Sequence, residues 1–376
     1  QLAERWAATQ RRYEREDKKR VYYLSLEFLM GRTLGNALLN LGLRDEIAGA
    51  LMPLSYDEAL EFLFPRTTTI KFGLATTRAL LESLGNPHQV IPSIHIGGTN
   101  GKGSTSHALA SVLQECGCKV GLYTSPHLKS FRERIKINGE MISERAVVAF
   151  VAKHKSDFEE IKPSFFEMTV ALAFDYFANE GVEVAIIETG LGGRLDSTNV
   201  ILPELSIITN IGLDHTDMLG DTAEMIAFEK AGIIKKGVPV VVGSKLEETE
   251  KVFTEKAEKE KSVLFFAEEQ FEVKDFKPVQ SGSVFKLKNK TTGESKEMQC
   301  QLNGIYQVEN IATVATAVEI IRRNKLFNIS EENFLSGLAG VVSHTGLMGR
   351  WQQLGERPYI FCDTGHNKEG IKTIVR

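Results

Sequence analysis

Lys102 lies in the run richest in chemically suggestive residues, Ile94-His-Ile-Gly-Gly-Thr-Asn-Gly-Lys-Gly-Ser-Thr105. Val90 to Ile96 reads as a buried strand, a glycine-rich turn follows, and Ser104 to Glu115 reads as a helix. Strand, glycine loop, lysine, hydroxyl and helix in that order form a cradle for phosphate. Glycine lets backbone N–H groups approach phosphate oxygens, the helix N-terminus adds partial positive charge, and Lys102 adds a full one. The candidate nucleotide-binding residues are therefore Thr99, Asn100, Gly101, Lys102, Gly103 and Ser104, and the nucleotide is read as ATP. The usual form of the motif has Ser or Thr directly after the lysine; here Gly103 intervenes before Ser104.

Other reactive residue types recur at the ends of apolar runs. Ser125, in Thr124-Ser-Pro-His-Leu128, offers a hydroxyl. Glu188 closes the run Val184–Glu188, where an unpaired buried carboxylate is costly, so a metal ion or a cation must balance it. His215, in Thr209-Asn-Ile-Gly-Leu-Asp-His-Thr216, is the obvious imidazole ligand, although magnesium normally prefers oxygen. Lys230 lies on a helix that Gly232 ends; a surface Glu229–Lys230 pair is the plainer alternative. Ser164-Phe-Phe-Glu167 reads as a capped helix start, with Ser164 at the cap and Glu167 at its third position, and Phe165 and Phe166 are suited to stacking on a flat ring. Arg132 and Arg134 read as surface charges.

The elements that must position these groups alternate. Ser93–Ile96, Lys119–Tyr123, Val184–Glu188, Leu205–Asn210 and Val238–Val242 are continuous Val/Ile/Leu-type runs separated by helix-like stretches. Such runs predict buried parallel strands, hence a doubly wound, mainly parallel α/β sheet with its ligands beyond the strands' carboxyl ends. After a charged helix over Glu247–Ser262, the strand-like runs Val263–Ala267, Phe271–Val273, Ser283–Lys288 and Glu297–Leu302 predict a small antiparallel insert without chemistry. A further helix begins near Gln307 and carries Asn310, whose short amide can reach the adenine or ribose side of ATP.

The string Gly-Thr-Asn-Gly-Lys-Gly-Ser resembles the nucleotide loop of the Mur ligase superfamily, most closely the folylpolyglutamate synthase/dihydrofolate synthase family. Glu188-Thr-Gly-Leu-Gly-Gly-Arg-Leu-Asp-Ser-Thr-Asn199 and Gly304-Ile-Tyr-Gln-Val-Glu-Asn310 extend the resemblance, as does Thr345-Gly-Leu-Met-Gly-Arg-Trp-Gln352. Ser-Phe-Phe-Glu and Leu-Gly-Gly-Arg-Leu-Asp favour folate over peptidoglycan relatives. The resemblance implies an ATP-dependent ligase that joins L-glutamate to dihydropteroate or folyl(poly)glutamate through an acyl phosphate. It implies two Mg2+ ions, with Ser125, Glu188 and His215 holding metal and Lys230 supporting the second ion. It places Arg350 at the ATP phosphates and Asp363 in the ATP site, and Ser164, Phe165, Phe166, Glu167, Leu195, Asp196 and Ser197 at the pterin, with the loop Thr69–Leu74 covering it. Carbamylation of Lys230 by carbon dioxide, which needs a neutral amine, is implied too. Lys102, Lys230 and His215 are then the catalytic residues.

Residues 52–343 read as the ATP-binding domain and 344–376 as an incomplete C-terminal glutamate-ligase domain, because a full domain needs on the order of 100 residues. The rival reading is therefore an ATP-binding fragment without ligase turnover. Residues 1–51 look like an early N-terminal segment of glycogen phosphorylase, carried by Arg20-Val-Tyr-Tyr-Leu-Ser-Leu-Glu-Phe-Leu-Met-Gly31, and read as a fusion without phosphorylase activity. A formal charge of −4 gives no global attraction to nucleic acid or anionic membrane, and no apolar run reaches the roughly 20 residues needed to cross a bilayer. The four cysteines form no C-x-x-C pair and no zinc framework, which fits a reducing cytoplasm. The expectation is a cytoplasmic monomer acting on small molecules.

Overall fold

The computed structural model describes residues 54–64, 73–357 and 359–375. The phosphorylase-like segment, and most of the loop Thr69–Leu74, lie outside the described residues.

Two helices come first, α1 (Tyr56–Leu63), capped by Ser55, and α2 (Ala75–Ser83). Strand β1 (Ser93–Gly97) then runs through the glycine loop into α3 (Lys102–Glu115), two residues earlier than the expected Ser104. Next come β2 (Val120–Tyr123), the short hairpin β3 (Ile135–Ile137) and β4 (Glu140–Met141), then α4 (Glu144–Ile161), α5 (Phe165–Asn179) and β5 (Val184–Glu188). Strand β6 (Leu205–Ile208) leads to α6 (Thr216–Leu219), α7 (Ala223–Ala231), β7 (Val240–Val242), α8 (Glu247–Glu260) and β8 (Leu264–Phe266). After α9 (Ala267–Gln270) come β9 (Phe271–Val279), β10 (Gly282–Asn289) and β11 (Ser295–Cys300). Helices α10 (Gln307–Arg323), α11 (Glu331–Ala339) and α12 (Val341–Thr345) precede β12 (Gln352–Glu356), β13 (Tyr359–Cys362) and α13 (Lys368–Val375).

The main sheet has eight strands in the order β4-β3-β2-β5-β1-β6-β7-β8. Strands β2, β5, β1, β6, β7 and β8 run parallel, and the β3–β4 hairpin adds an antiparallel edge. Alternate residues of one strand face opposite cores. Val184 and Ile186 of β5 join the cluster under α3, α10 and α11, whereas Ala185 and Ile187 join the one formed with α1, α2, α4 and α5. In β7, Val241 faces the first cluster, and Val240 and Val242 face a third with α7 and α8. Burial on both faces is why these strands read as unbroken apolar runs.

One boundary needs correction. Leu264–Phe266 is not part of the antiparallel insert; it pairs parallel with β7 as the far edge of the main sheet. The insert is the three-stranded sheet β11-β10-β9, whose Phe285, Leu287 and Met298 pack into the α10 core. A three-residue apolar run carries no mark of which sheet it joins; the partner strand decides. Beyond α12, β12 and β13 pair antiparallel as a separate two-stranded sheet.

Candidate nucleotide site at the strand tips

Four neighbouring strand tips meet here: those of β2, β5, β1 and β6. The glycine loop after β1 is pinned by the segment after β6. Thr99 N–H donates to Asn210 O at 3.0 Å, Asn100 N–H donates to Asn210 Oδ1 at 2.8 Å, and Thr209 Oγ1 donates to Asn100 O at 2.5 Å. Gly101 sits at φ +83°, and a Cβ there would stand 2.1 Å from Asn310 Oδ1, so only glycine fits. Asn310, buried on α10, donates to Gln307 Oε1 at 2.8 Å, and Gln307 donates to Ser104 Oγ at 3.3 Å. Loop and α10 thus interlock. Gly101, the N-cap of α3, has no side chain to satisfy that helix's first N–H groups, the condition under which a helix end accepts an anion.

Charged groups converge on this end. A Cβ at Gly103 would lie 3.7 Å from an Arg350 guanidinium nitrogen and 3.8 Å from Glu188 Oε2, so both flank the start of α3. Burial pushes Glu188 up to about 7, against the opposing pull of Lys102, Arg350, a Ser125 backbone hydrogen bond and Arg134. Burial also lowers Lys102, while Glu188 pulls it the other way. Lys102 Nζ folds back onto its own loop, donating to Gly98 O at 3.1 Å and Thr99 O at 3.2 Å. Lys230 is buried and donates to the same Gly98 carbonyl at 2.8 Å. Burial, reinforced by the charge of Lys102, brings it down to about 7. The plainer reading of Lys230 as a surface residue is thereby set aside.

His215 stands at φ +49°, an uncommon conformation for a residue other than glycine, and opens the short helix α6. Its nearest titratable partners are Asp214 and His366, and ligand atoms of the three lie within 4.8 Å of one another. Burial pushes Asp214 up, but hydrogen bonds from His366 and Asn367 and the two imidazoles outweigh it and hold this carboxylate below its ordinary range. Asn367 is buried and ties the last described segment to the loop, donating to Asn100 Oδ1 at 2.9 Å and Asp214 Oδ2 at 3.0 Å. Asp363 accepts from Tyr306 Oη at 2.5 Å, Trp351 N at 2.8 Å and Gly365 N at 2.8 Å, so its carboxylate braces the segment that carries Arg350. On the other side of that segment, Lys136 Nζ donates to Thr345 O at 2.8 Å and Gly346 O at 3.1 Å.

The aromatic side of the site is built differently. Ser164 and Glu167 form the expected reciprocal cap of α5. Phe165 is buried, stacked on Phe64 at 5.1 Å and overlaid by the Arg134 guanidinium at 5.3 Å. Phe166 lies against Gly190, where a Cβ would meet its ring at 2.4 Å. Leu195 is half-buried and Ser197 buried. Asp196 is buried and accepts the N–H groups of Gly190 and Leu191 at 2.9 and 2.8 Å. Arg134 corrects the expectation of a surface charge. It is 8% exposed and donates to His127 Nδ1 at 2.7 Å, and its charge is felt at Glu188. Sequence reading also passes over Asp214, Asn367 and Lys136. Only Asp214, next to a histidine at a strand tip, carries a local signal.

The sequence and the fold both have known relatives. The profile described as the Mur ligase middle domain matches residues 96–318. The dihydrofolate synthase/folylpolyglutamate synthase of Bacillus subtilis (strain 168) is 36% identical over 329 residues, 85% of this chain and 75% of that protein. The folylpolyglutamate synthase of Lacticaseibacillus casei is 37% identical over 303 residues, 79% of this chain and 70% of that one. A solved FPGS–AMPPCP complex superposes with a TM-score of 0.79 at 34% identity, covering 85% of this chain and 79% of the other. An FPGS–AMPPCP–folate complex does so with a TM-score of 0.78 at 33% identity and the same coverage. The comparisons lend no support to the phosphorylase resemblance. No helix among the described residues is long and apolar enough to cross a membrane. The chain belongs to the Mur ligase family and, within it, to the folylpolyglutamate and dihydrofolate synthases.

Proposed function

We propose that this chain is an ATP-dependent ligase that attaches L-glutamate to the carboxylate of dihydropteroate, of folyl(poly)glutamate, or of both. The observation that carries this reading is the convergence of Lys102, Glu188 and Arg350 on the uncapped start of α3, beside a glycine loop locked to Asn310. A triphosphate there meets backbone N–H groups, one ammonium and one guanidinium. Phosphoryl transfer needs mainly positioning and charge neutralisation, which is what these groups supply. The substrate carboxylate attacks the γ-phosphate, the bond to the β–γ bridging oxygen breaks and ADP leaves, giving an acyl phosphate; the glutamate amine then attacks the acyl carbon, losing a proton and displacing inorganic phosphate.

Ser125 and Glu188 offer a hydroxyl and a carboxylate, which suit the oxygen preference of Mg2+. A carboxylate that burial drives towards protonation gains from a cation, so Ser125 and Glu188 fit the ion; His215, beyond the β6 tip and grouped with Asp214 and His366, would add a nitrogen ligand from across β1. When bound, Mg2+ would neutralise charge developing on the phosphate oxygens. Lys230, brought down to about 7, has a substantial neutral fraction near pH 7, which meets the condition for carbamylation and for supporting a second ion. Phe166, Leu195, Ser197 and the loop closed by Asp196 line the pterin side, with Ser164, Phe165 and Glu167 as its packed backing. Asp363 acts on ATP by bracing Arg350. Residues 52–343 form the ATP-binding domain and 344–376 the start of the glutamate-binding one, in a monomer of the cytoplasm.

The test is glutamate- and ATP-dependent consumption of dihydropteroate, with phosphate release measured in parallel. Coupled release of one phosphate per amide formed is expected. ATP binding without amide formation would instead favour the rival reading, a nucleotide-binding chain without ligase turnover.

A further inference from the structure

His95 is buried on β1 and has no part in the chemistry above. Its Nε2 lies 2.9 Å from Thr198 Oγ1. Thr198 has one hydroxyl proton, and that proton is committed, because Oγ1 donates to Asp196 Oδ1 at 2.5 Å. His95 Nε2 must therefore supply the hydrogen of the first contact. This fixes the neutral Nε2–H tautomer and leaves Nδ1 buried without a partner. Burial, with the charge of Lys235 adding to it, holds the imidazole down at about 3. The ring is a fixed donor at physiological pH and takes no part in proton transfer.

The contacts continue from Asp196. Its Oδ1 also accepts the Thr198 N–H at 3.0 Å, and its Oδ2 accepts the Gly190 and Leu191 N–H groups at 2.9 and 2.8 Å. These donors occupy the carboxylate, which closes the 190–196 loop on itself. The closed loop packs backbone-to-backbone on α7. Arg194 N–H donates to Glu229 O at 2.7 Å, and Asn199 Nδ2 bridges Arg194 O and Gly232 O at 3.0 and 3.1 Å. A Cβ at Gly193 would meet Glu229 O at 2.8 Å and Lys230 Cα at 3.0 Å. The loop is thus the wall behind Lys230.

We propose that His95 is a positioning residue: through Thr198 and Asp196 it holds the 190–196 loop shut against α7 and so sets where the Lys230 amine stands. Its register partner on β5, Ile187, lies on the same face of the sheet and is fully buried, so an apolar side chain suits that face. What an apolar side chain lacks is the directed N–H, and burying a polar ring costs more than burying isoleucine.

The proposal rests on the reading of Lys230 as part of the site, but its first test needs no ligase activity. Competitive labelling of the native protein with an amine-reactive reagent, read by mass spectrometry across a pH series, gives the titration midpoint of Lys230 itself. Thr198→Val removes the hydroxyl at nearly constant volume, and His95→Leu removes the donor. In both, the Lys230 midpoint rises by about one unit as water reaches the amine. In both, kcat/KM for ligation falls about tenfold, the size of one buried hydrogen bond. His95→Gln, which carries an amide nitrogen near the place of Nε2, restores both readings. Ser111→Ala, which deletes a buried hydroxyl bonded to Gly337 O at 2.6 Å, lowers the melting temperature and moves neither. A Lys230 midpoint unchanged in Thr198→Val, with a melting temperature lowered as in Ser111→Ala, would overturn the proposal. A parent without measurable ligation would count against the ligase reading alone, and the labelling result would still decide this one.

Discussion

Lys102 and Lys230 share one acceptor, the Gly98 carbonyl, at 3.1 and 2.8 Å. Two ammonium groups on one oxygen repel each other, and burial disfavours charge on both. Glu188 offsets this for Lys102, whereas for Lys230 the charge of Lys102 adds to burial. The pair is therefore asymmetric. Glu188 restores part of the charge on Lys102, whereas Lys230 gives up its proton near neutrality, the state in which its nitrogen can attack carbon dioxide.

Stability should follow that asymmetry. Lys230 titrates at about 7 in the fold against 10.5 as its ordinary value. Below the lower value both states hold the proton, and the fold bears the full cost of a buried ammonium. Between the two values the unfolded chain holds a proton that the native state lacks, so the contribution of Lys230 to stability rises with pH. Lys230→Met is thus most stabilising below pH 7, and its advantage shrinks by on the order of a few kcal/mol towards the alkaline end. Urea unfolding in carbonate-free buffer measures it; an advantage that does not vary with pH would contradict the assignment.

Gly101→Ala should separate nucleotide binding from folding. Its Cβ would press on Asn310 Oδ1 and face a left-handed backbone, which costs about 1–2 kcal/mol in a residue other than glycine. The melting temperature should fall by a few degrees, roughly what that cost gives in a domain of this size. Affinity for an ATP analogue should fall more than tenfold, because the loop must shift. Unchanged affinity in calorimetry would place the phosphates elsewhere.

Much of the site is readable because its parts are local in sequence. The glycine loop, its helix, the Ser164–Glu167 cap and the apolar strands each declare themselves within a few residues. What stays hidden depends on partners brought from afar. Arg134 looks like a surface charge until Phe165, His127 and Glu188 surround it. Asp214 meets His366 and Asn367 from a segment some 150 positions later. The edge strand Leu264–Phe266 reads as part of the insert because its three residues fit either sheet. Tyr306 meets Asp363, 57 positions later, at 2.5 Å, a contact with no local mark in the sequence.

That last contact yields a prediction. Tyr306→Phe leaves Asp363 with the Trp351 and Gly365 N–H groups but frees the oxygen that braces the residue after Arg350. We expect a loss of about 1 kcal/mol in stability and a several-fold rise in KM for ATP with little change in KM for glutamate. A rise confined to the KM for glutamate would show that the contact serves the other substrate.

The most direct measurement is a calorimetric titration of a non-hydrolysable ATP analogue, with and without Mg2+, into the parent, Lys102→Ala and Glu188→Gln. The parent should bind, and more weakly once the metal is chelated. Each substitution should cost about ten- to a hundredfold in affinity, the worth of one charge-assisted contact. Binding in Lys102→Ala as tight as in the parent would contradict the claim that the loop from Gly97 to Ser104 holds the triphosphate.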